Sequence, residues 1–294
     1  MIEVSAFSKV FDNYPVGDLP FEVKEIHFPD GTQKLDIEAE FADYESFLIT
    51  WNGYEGDEEL VKLIFITKHL QDRLGADVYL YMPYVPNARM DRVKSDTEVF
   101  TLKYFAEVIN SLGFKKVFVL DPHSNVTTGL IDHVVNLSPE MFIGMAIEDI
   151  EGLPYVYFPD EGAYKRYGDL DTFKGMSVLI GHKVRDWSTG KIQGLKITDR
   201  NGMGYSEGYF DGESVLMVDD IISYGGTMAY SADELKKLGF DHVYAYATHT
   251  ENSIQDPEKS LFKDRLDRGV IDKLYTTDSL YIYGGTDRIM VYIA

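Results

Sequence analysis

Short apolar runs alternate with longer amphipathic segments along most of the chain, and this alternation restricts the possible folds more than any other feature. The amphipathic segments are predicted helices at 57–75, 97–112 and 227–238. An order of strand, helix and strand is typical of a mainly parallel sheet with helices on its faces, so we predict an α/β fold. The predicted strands are 47–51, 78–82, 117–120, 155–158, 177–180, 215–218 and 243–247.

A stretch of the first half recurs in the second half. LGFKKVFVLDPHS (112–124) aligns with LGFDHVYAYATHT (238–250), 126 residues further along, and the alignment pairs His123 with His249. In both copies the stretch follows a predicted helix, which itself follows a predicted strand. Self-similarity at a fixed distance favours a duplicated unit, although a match this short also arises by chance between unrelated α/β segments.

The length and composition suit two globular domains. Of the 294 residues, 45% are hydrophobic and 14% are aromatic, which is ample for a sizeable core and excludes an acidic disordered chain. Domains of roughly 150 residues are a fair expectation at this length. The segment 138–152 has a weak pattern and several turn residues, so we predict two domains, 1–145 and 146–294.

The net charge of −21 argues against nucleic acid as a partner, because a nucleic-acid-binding protein needs a basic surface that replaces counterions on phosphate. The chain has no cysteine, and therefore no disulfide, thiolate metal site or cysteine nucleophile. The N-terminus lacks the pattern of a secretory signal, and no run of about 18 apolar residues occurs, so no membrane segment is expected. We expect a cytoplasmic protein.

The charge is distributed unevenly. Residues 1–60 contain 15 acidic and three basic residues, whereas residues 174–200 contain six basic and two acidic residues. A cationic segment in an acidic protein favours an anionic ligand, and a solvated basic loop explains the same charge equally well.

The segment VLMVDDIISYGGTMAYSADEL (215–235) carries the strongest chemical signal. An apolar strand ends in the carboxylates Asp219 and Asp220, and a glycine pair, Gly225 and Gly226, precedes a helix. Ligands of open α/β sheets collect at the carboxyl ends of the strands. Backbone amides of a glycine turn at a helix N-terminus bind phosphate, and the carboxylates suit ribose hydroxyls or Mg²⁺. The alternative is an ordinary strand-to-helix turn with capping acids.

This segment resembles the phosphoribosyl-pyrophosphate loop of type I phosphoribosyltransferases and of ribose-phosphate pyrophosphokinases. Five further segments resemble motifs of the pyrophosphokinases, occur in that family's order, and extend the resemblance over residues 28–250. They are the adenine loop FPDGTQKLDI (28–37), the ATP-binding stretch MPYVPNARMDR (82–92), the metal and ATP motif VLDPHSN (119–125), the pyrophosphate loop FPDEGAYKR (158–166) and the catalytic flexible loop GHKVR (181–185).

The resemblance implies a fold and a reaction. The fold would be two tandem type I phosphoribosyltransferase-like domains, each a mainly parallel sheet flanked by helices. The reaction would be that of a ribose-phosphate diphosphokinase, which transfers the diphosphoryl group of ATP to the anomeric hydroxyl of ribose 5-phosphate and gives 5-phosphoribosyl 1-pyrophosphate and AMP. Mg²⁺ would be the cofactor. In the family the adenine loop comes from a neighbouring subunit, so a homo-oligomer is implied.

The resemblance also implies which residues of the first half bind ATP. Phe28 would stack on adenine, and Asp30 would contact the adenine amino group. Arg89 would clamp the ATP phosphates beside Asp91. His123 would contact ATP, bind Mg²⁺ and take part in catalysis. Without the family motifs, Phe28 is an ordinary core aromatic, Arg89 a surface arginine and His123 a structural histidine.

In the second half, the resemblance implies that Asp160 binds the ribose hydroxyls and a second Mg²⁺. Lys183 and Arg185 would be catalytic, because they would stabilise negative charge on the transferring diphosphoryl group. The remaining ribose 5-phosphate-binding residues would be Asp219, Asp220, Ser223, Tyr224, Gly225, Gly226 and Thr227.

The chain departs from the family pattern at several positions. Ser223 and Tyr224 replace the third acid and the first threonine of the ribose 5-phosphate loop. Thr32 replaces the glutamate of the adenine loop, and Pro122 lies inside the Asp-x-His motif. Two alternatives therefore stay open. One is a catalytically silent regulatory relative, which Ser223 and Tyr224 favour, and the other is a phosphoribosyltransferase, which the ARMDR and DPHS segments disfavour.

Overall fold

The chain folds into two compact units, Met1–Ser138 and Pro139–Ala294. No helix in the described part of the chain is long and apolar enough to cross a membrane. The computed structural model describes four ranges: 2–11, 14–38, 44–185 and 192–294. Within these ranges the side chains of the following strand residues are not described: 8–11, 18–19, 38, 183–185 and 192–193.

The first unit is built on one sheet. Its strands are β1 (Ile2–Phe11), β2 (Tyr14–His27), β3 (Gln33–Glu38), β4 (Ser46–Trp51), β5 (Asp77–Met82), β6 (Val117–Leu120) and β7 (Val134–Leu137). The strand order is β3-β2-β1-β4-β5-β6-β7. Strands β4 to β7 pair in parallel, whereas β1, β2 and β3 pair antiparallel at one side. The helices are α1 (Glu58–Leu74), α2 (Thr101–Ser111) and α3 (Asn125–Leu130).

The second unit is also built on one sheet. Its strands are β8 (Tyr155–Phe158), β9 (Val178–Arg185), β10 (Ile192–Asp199), β11 (Ser214–Ile222), β12 (His242–Thr250), β13 (Lys273–Thr277) and β14 (Ile289–Tyr292). The strand order is β10-β9-β8-β11-β12-β13-β14, and only β10 pairs antiparallel. The helices are α4 (Glu140–Asp149), α5 (Glu161–Tyr167), α6 (Gly226–Leu238) and α7 (Leu261–Asp267).

The strands predicted as continuous apolar runs lie inside the sheets. All four residues of β6 are buried, and β11 is buried from Val215 to Val218. Parallel strands covered on both faces are apolar throughout and do not alternate with polar residues, which explains why each of the predicted strands overlaps an observed one. Strands β2 and β3 are mostly exposed or partly buried, carry no such run and were not predicted.

The predicted helices differ in how well their starts agree with the structure. Helices α1 and α6 begin and end within one residue of the predicted bounds. Helix α2 begins at Thr101, later than the predicted residue 97. The Glu98 carboxylate accepts a hydrogen bond from the Lys94 backbone N–H at 2.6 Å, and the Glu98 N–H donates to the Ser95 carbonyl at 3.1 Å. These bonds hold a turn ahead of the helix.

The recurring stretch forms the same helix-to-strand turn in both units. Gly113 and Gly239 follow α2 and α6 with φ angles of 68° and 106°. Phe114 and Phe240, which come next, are buried. A left-handed residue that ends a helix favours glycine, so the repeated Leu-Gly-Phe has a structural cause in both places.

The two copies diverge at the paired histidines. Strand β6 ends before His123, which lies in the following loop. Strand β12 is longer and contains His249, which is buried and has Nδ1 2.7 Å from the Ser279 hydroxyl. The match between His123 and His249 in the sequence therefore does not make them equivalent in their surroundings.

Helix α4 belongs to the second unit. The carboxylate of Asp149, at its end, accepts hydrogen bonds from the Lys273 ammonium at 2.7 Å and from the Tyr275 hydroxyl at 2.8 Å. The predicted boundary between residues 145 and 146 falls inside this helix, whereas the compact units divide before it. The weak pattern around this boundary concealed a helix that is tied to β13.

Asp149→Asn is expected to lower the stability of the second unit by about 0.5–1 kcal/mol at pH 7, in the range of a solvent-screened ion pair. Hydrogen bonds from Lys273 and then Tyr275 hold the pKa of Asp149 below its ordinary value. A lowered carboxylate pKa stabilises the folded state above the ordinary pKa of about 4, and this stabilisation is lost as the pH falls through the folded-state pKa. The difference in urea unfolding between wild type and variant should therefore shrink below about pH 4.

Asp171→Asn is the matched control for this prediction. Its ion pair with Lys174 is open to solvent, with side chains 76% and 75% exposed. No measurable change in stability is expected from it at pH 7. A difference for Asp149→Asn that stayed constant with pH would contradict the ion-pair assignment.

Candidate active site

The loop between β11 and α6 forms the centre of the candidate site. Gly225 has a φ of 70°, and α6 begins at the next residue, Gly226. A Cβ on Gly225 would lie 2.3 Å from the Phe262 Cβ, so only glycine fits there. Nothing lies within 4 Å of a Cβ built on Gly226, and Thr227 is exposed. The N-terminus of this 13-residue helix is therefore accessible, as an anion-binding helix end requires.

Ser223 and Tyr224, the two departures from the family loop, are held by neighbouring segments. The Ser223 hydroxyl lies 3.3 Å from the Ser253 hydroxyl, which donates to the Glu251 carboxylate at 3.1 Å. An aspartate at position 223 would bring a second carboxylate toward Glu251, so a neutral hydroxyl suits this surrounding. The Tyr224 carbonyl accepts a hydrogen bond from the Phe262 N–H at 3.3 Å, and the Tyr224 side chain is 41% exposed. The bulky ring therefore does not fill the interior of the loop.

Three carboxylates and one arginine lie together beside this loop. The Arg166 guanidinium is 3.2 Å from the carboxylate of Asp220, which is buried. Burial raises the pKa of Asp219 well above its ordinary value, and the negative charges of Asp220 and, more weakly, Asp160 raise it further. A bound cation, or a ligand that donates hydrogen bonds, would relieve the repulsion among these carboxylates.

Arg166 is a site residue that the sequence analysis did not identify. It lies in α5, close to the end of the motif FPDEGAYKR. The signal was the basic pair Lys165–Arg166, but basic residues in the last turn of a helix also suit the helix dipole. Only the contact with Asp220 shows that Arg166 belongs to the candidate site and is not merely a basic residue at a helix end.

Asp160 and its neighbour connect the pyrophosphate loop to two strands. The Asp160 carboxylate caps α5 by accepting two backbone N–H groups at 3.0 and 3.1 Å, which fixes its orientation. The carboxylate of Glu161 lies 3.7 Å from Nδ1 of His182. Nε2 of His182 is 3.0 Å from the Thr198 hydroxyl. His182 therefore bridges the start of α5 to β10 from its own position on β9.

Lys183 and Arg185 lie on β9, where their backbones pair with Leu195 and Ile192 of β10. The predicted strand 177–180 extends to Arg185, so both residues belong to the strand and not to a loop after it. Their side chains lie outside the described part of the chain, as do residues 186–191. Their catalytic roles stay predictions.

In the first unit, Arg89 and Asp91 lie in the loop between β5 and α2. The Met90 N–H donates to the Asn87 carbonyl at 2.8 Å, and Asn87 has a φ of 64°. This turn leaves the Arg89 side chain exposed, whereas Asp91 is partly buried. An exposed guanidinium after the end of a parallel strand can reach a phosphorylated ligand.

The metal and ATP motif has an unusual backbone. Asp121 is buried and has a φ of 43°, in the region that favours glycine, although it precedes Pro122. The Asp121 N–H donates to the Leu137 carbonyl at 3.0 Å, which holds this conformation. His123 follows and is partly buried. Backbone strain of this kind concentrates at functional sites.

Tyr14 is a second residue that the sequence analysis missed. Its hydroxyl donates to the Ser138 carbonyl at 3.1 Å. Burial and the nearby negative charge of Asp121 raise the pKa of Tyr14 to about 12. Tyr14 lies in the acidic N-terminal segment, outside every motif, so no sequence signal connected it with Asp121.

The adenine loop is the turn between β2 and β3. The Phe28 N–H donates to the Thr32 carbonyl at 2.8 Å, and the Phe28 side chain is 48% exposed. The alternative that Phe28 is a core aromatic is therefore wrong. The Asp30 carboxylate accepts the Thr32 hydroxyl at 2.7 Å and the Thr32 N–H at 3.0 Å, and these bonds lower the pKa of Asp30. Thr32, which replaces the family's glutamate, thus holds Asp30.

The carboxylates of the candidate site on the second unit suit a magnesium ion that is also bound by substrate phosphates. Among the residues that the structure describes, no three histidine, aspartate or glutamate side chains form a cluster suited to a metal ion. Mg²⁺ commonly binds one or two protein carboxylates, keeps several waters and takes other ligands from substrate phosphates. The oriented Asp160 carboxylate, with the Asp219 and Asp220 carboxylates near it, supplies ligands of this kind.

Comparison with known proteins places these features in one family. The "Ribose-phosphate pyrophosphokinase" of Thermococcus kodakarensis is 29% identical over 231 residues, which cover 78% of this chain and 77% of the relative. That of Sulfolobus acidocaldarius is 28% identical over 258 residues, which cover 86% of this chain and 82% of the relative. No protein-family profile matches the chain.

Among solved structures, the phosphoribosylpyrophosphate synthetase of Mycobacterium smegmatis matches with a TM-score of 0.72 at 19% identity, over 93% of this chain and 86% of that chain. The predicted fold class is therefore confirmed: an α/β protein of two tandem units of the type I phosphoribosyltransferase kind. Together with the sequence relatives, this likeness supports a divergent member of the ribose-phosphate pyrophosphokinase family.

Proposed function

We propose that the chain is a Mg²⁺-dependent ribose-phosphate diphosphokinase, which makes 5-phosphoribosyl 1-pyrophosphate and AMP from ATP and ribose 5-phosphate. The observation that carries the proposal is the accessible glycine turn at the start of α6, beside oriented carboxylates and Arg166. A transferase of this family needs such a phosphate-binding turn next to groups that hold ribose hydroxyls. The expected cytoplasmic location belongs to the same proposal.

Ribose 5-phosphate would bind at this turn. The amides of Gly225, Gly226 and Thr227 would cradle its phosphate, because a helix N-terminus attracts an anion. The carboxylates of Asp219 and Asp220 would accept hydrogen bonds from the ribose hydroxyls, with the Arg166 contact keeping Asp220 in place. Ser223 and Tyr224 would act through their main-chain groups.

ATP would bind to the first-unit residues implied by the family motifs. The exposed ring of Phe28 is available to stack on adenine, and the Arg89 guanidinium is exposed for the phosphates. Asp91 would orient Arg89. Asp30 is already hydrogen-bonded to Thr32, so its contact with the adenine amino group would use its second oxygen.

His123 would hold one Mg²⁺ and Asp160 a second, and bound Mg²⁺ neutralises charge on the diphosphoryl group. The anomeric oxygen would form a bond to the β-phosphorus of ATP, and the bond from that phosphorus to the oxygen shared with the α-phosphorus would break. AMP leaves with that oxygen, and the anomeric hydroxyl loses its proton. Lys183 and Arg185 would stabilise negative charge on the transferring diphosphoryl group.

The proposal includes a homo-oligomer, because in the family the adenine loop reaches a neighbouring subunit. The exposed position of Phe28 on a turn at the end of two long strands is compatible with that role. Sedimentation equilibrium of the purified chain measures the oligomer directly. A monomer at all concentrations would contradict this part of the proposal.

The experiment that tests the activity is AMP formation from ATP, Mg²⁺ and ribose 5-phosphate, followed by chromatography. We expect AMP and 5-phosphoribosyl 1-pyrophosphate in equal amounts, with no AMP when ribose 5-phosphate is left out. No AMP above background across several divalent metals and phosphate concentrations would refute the activity. That result would favour the alternative that the chain is a catalytically silent regulatory relative.

His182→Ala is expected to lower kcat about ten-fold with little change in KM, because displaced catalytic groups lose rate more than binding. His182 connects Glu161 with Thr198 and precedes Lys183, so we treat it as a positioning residue. His182→Gln, which can still hydrogen-bond Thr198, should recover part of kcat. His242→Ala is the control, since that histidine is exposed and contacts Asp272 away from the site. A normal kcat for His182→Ala would contradict the positioning role.

A further inference from the structure

A pocket of about 290 Å³ lies in the second unit, away from the candidate active site. Its lining includes Tyr155 at the start of β8 and Val178 at the start of β9. Asp160 follows the other, carboxyl end of β8. The pocket is therefore at the amino ends of the strands, and none of the roles proposed above involves it.

One wall of the pocket is a cluster of aromatic rings. The Tyr205 ring lies 4.8 Å from the Tyr209 ring and 4.7 Å from the Phe210 ring, measured between centroids. Phe210 is buried and stacks on Phe240 at 4.4 Å with an interplanar angle of 14°. Tyr155 packs against Phe210 at 5.0 Å. The wall is therefore anchored in the core, while Tyr209 at its edge is 60% exposed.

The wall also presents polar groups to the pocket. Within the part of the chain that the structure describes, the hydroxyls of Tyr155, Tyr205 and Tyr209 have no hydrogen-bond partner. Burial raises the pKa of Tyr155 and of Tyr205, so both hydroxyls stay protonated at neutral pH. Aromatic residues that carry hydroxyl groups are typical of a small-molecule site.

Arg200 stands at the rim of the pocket and is held in place. Its Nη2 donates to the Gly168 carbonyl at 3.2 Å, and its guanidinium lies 5.8 Å from the centre of the Tyr164 ring. The turn that carries Arg200 is fixed by Asp199, whose carboxylate accepts the Met203 N–H at 2.8 Å. A guanidinium has five N–H donors in one plane, so a fixed one can offer a pair of them to adjacent acceptors.

The charges around the pocket select against a phosphorylated ligand. The negative charge of Asp199 helps to raise the pKa of Tyr205, and that of Glu213 helps to raise the pKa of Tyr155. Among the described residues, Arg200 is the cation that lines the pocket. Two carboxylates against one guanidinium leave no excess positive charge for a phosphate group. An uncharged ligand with a flat apolar face and acceptors on one edge fits these surroundings better.

We propose that this pocket binds a planar heteroaromatic molecule of nucleobase size, such as a free purine or nucleoside. The ligand stacks against the rings of Tyr205 and Tyr209 and points its acceptor edge toward Arg200. The volume of about 290 Å³ is at the lower end for small-molecule sites, which suits a bicyclic base and not a nucleoside triphosphate.

The test uses 2-aminopurine, whose fluorescence is quenched by stacking, titrated with the full-length chain in the presence of excess ATP. We expect saturable binding that Tyr209→Ala and Arg200→Met each weaken about ten-fold, because each removes one of the two recognition elements. Tyr209→Phe should bind within about three-fold of wild type, since it keeps the ring. Tyr209 is an exposed residue, so its replacement is expected to leave the fold intact.

Two control variants distinguish binding in this pocket from binding at the candidate active site. Tyr230→Ala removes a 67% exposed tyrosine of α6 that is not part of the pocket, and Phe28→Ala removes the proposed adenine contact. Neither should change 2-aminopurine binding. Four results would each overturn the proposal. They are absence of binding, wild-type affinity in both Tyr209→Ala and Arg200→Met, loss of binding in Phe28→Ala, and stronger competition by AMP than by adenosine. None of these outcomes depends on whether the chain forms AMP.

Discussion

Lys183→Ala is expected to lower kcat for AMP formation by about 10²–10³-fold, the usual cost of removing one group that stabilises charge in a transition state. Lys183 would neutralise charge that develops as the diphosphoryl group leaves AMP. Arg185 lies two positions along the same strand and would have the same role, so Arg185→Ala should have an effect of the same order. Because both groups would act on the transition state, KM for ribose 5-phosphate should change little.

The control for this pair is Lys196→Ala. Lys196 is an exposed lysine of β10, whose backbone pairs with His182 beside Lys183. The substitution Lys196→Ala removes one positive charge from the same hairpin, as Lys183→Ala does, and should leave kcat within about two-fold of wild type. Thermal unfolding of Lys196→Ala should be unchanged, because an exposed charge contributes little to stability. Near-normal turnover in both Lys183→Ala and Arg185→Ala would refute the assignment of this strand to catalysis.

Gly225→Ala is expected to have the largest effect on the fold of the site. Alanine would adopt a φ of 70°, which costs about 1–2 kcal/mol, and its Cβ would lie 2.3 Å from the Phe262 Cβ. Overpacking of this kind costs a further 1–3 kcal/mol or so. We therefore expect a loss of about 2–5 kcal/mol in unfolding free energy. KM for ribose 5-phosphate should rise at least ten-fold, because the loop must shift.

Gly226→Ala is the matched control for this prediction. A Cβ at this position meets nothing within 4 Å, and the residue is the first of α6, where alanine is favourable. Stability should stay the same or rise slightly. Urea unfolding of the two variants side by side separates the strain at Gly225 from a general effect of losing a glycine. Equal stability of both variants would contradict the predicted clash.

The sequence predicted the parts of this fold that local pattern determines. Strand β6 was predicted with its observed bounds because all four of its residues are apolar and buried. Strands β2 and β3 were not predicted, because their residues are mostly exposed or partly buried and their antiparallel pairing leaves no continuous apolar run. The start of α2 was misplaced because the turn before it depends on a side chain, Glu98, and not on helix propensity.

The candidate site was predictable where a motif gives the order of residues, as in the loop from Asp219 to Thr227. Contacts that join separate motifs were not predictable from the sequence. Arg166 contacts Asp220, and the negative charge of Asp121 helps to raise the pKa of Tyr14. In both pairs the two residues come from segments far apart in the chain. A sequence read position by position gives no distance between such segments.

The ribose 5-phosphate loop depends on a helix that no motif includes. Phe262 of α7 donates its N–H to the Tyr224 carbonyl and packs where Gly225 leaves room. A graft of residues 223–227 into another α/β protein would therefore lose its shape unless α7 were grafted with it. By the same reasoning, a substitution at position 262 would change the shape of this loop while every residue of the motif stays unchanged.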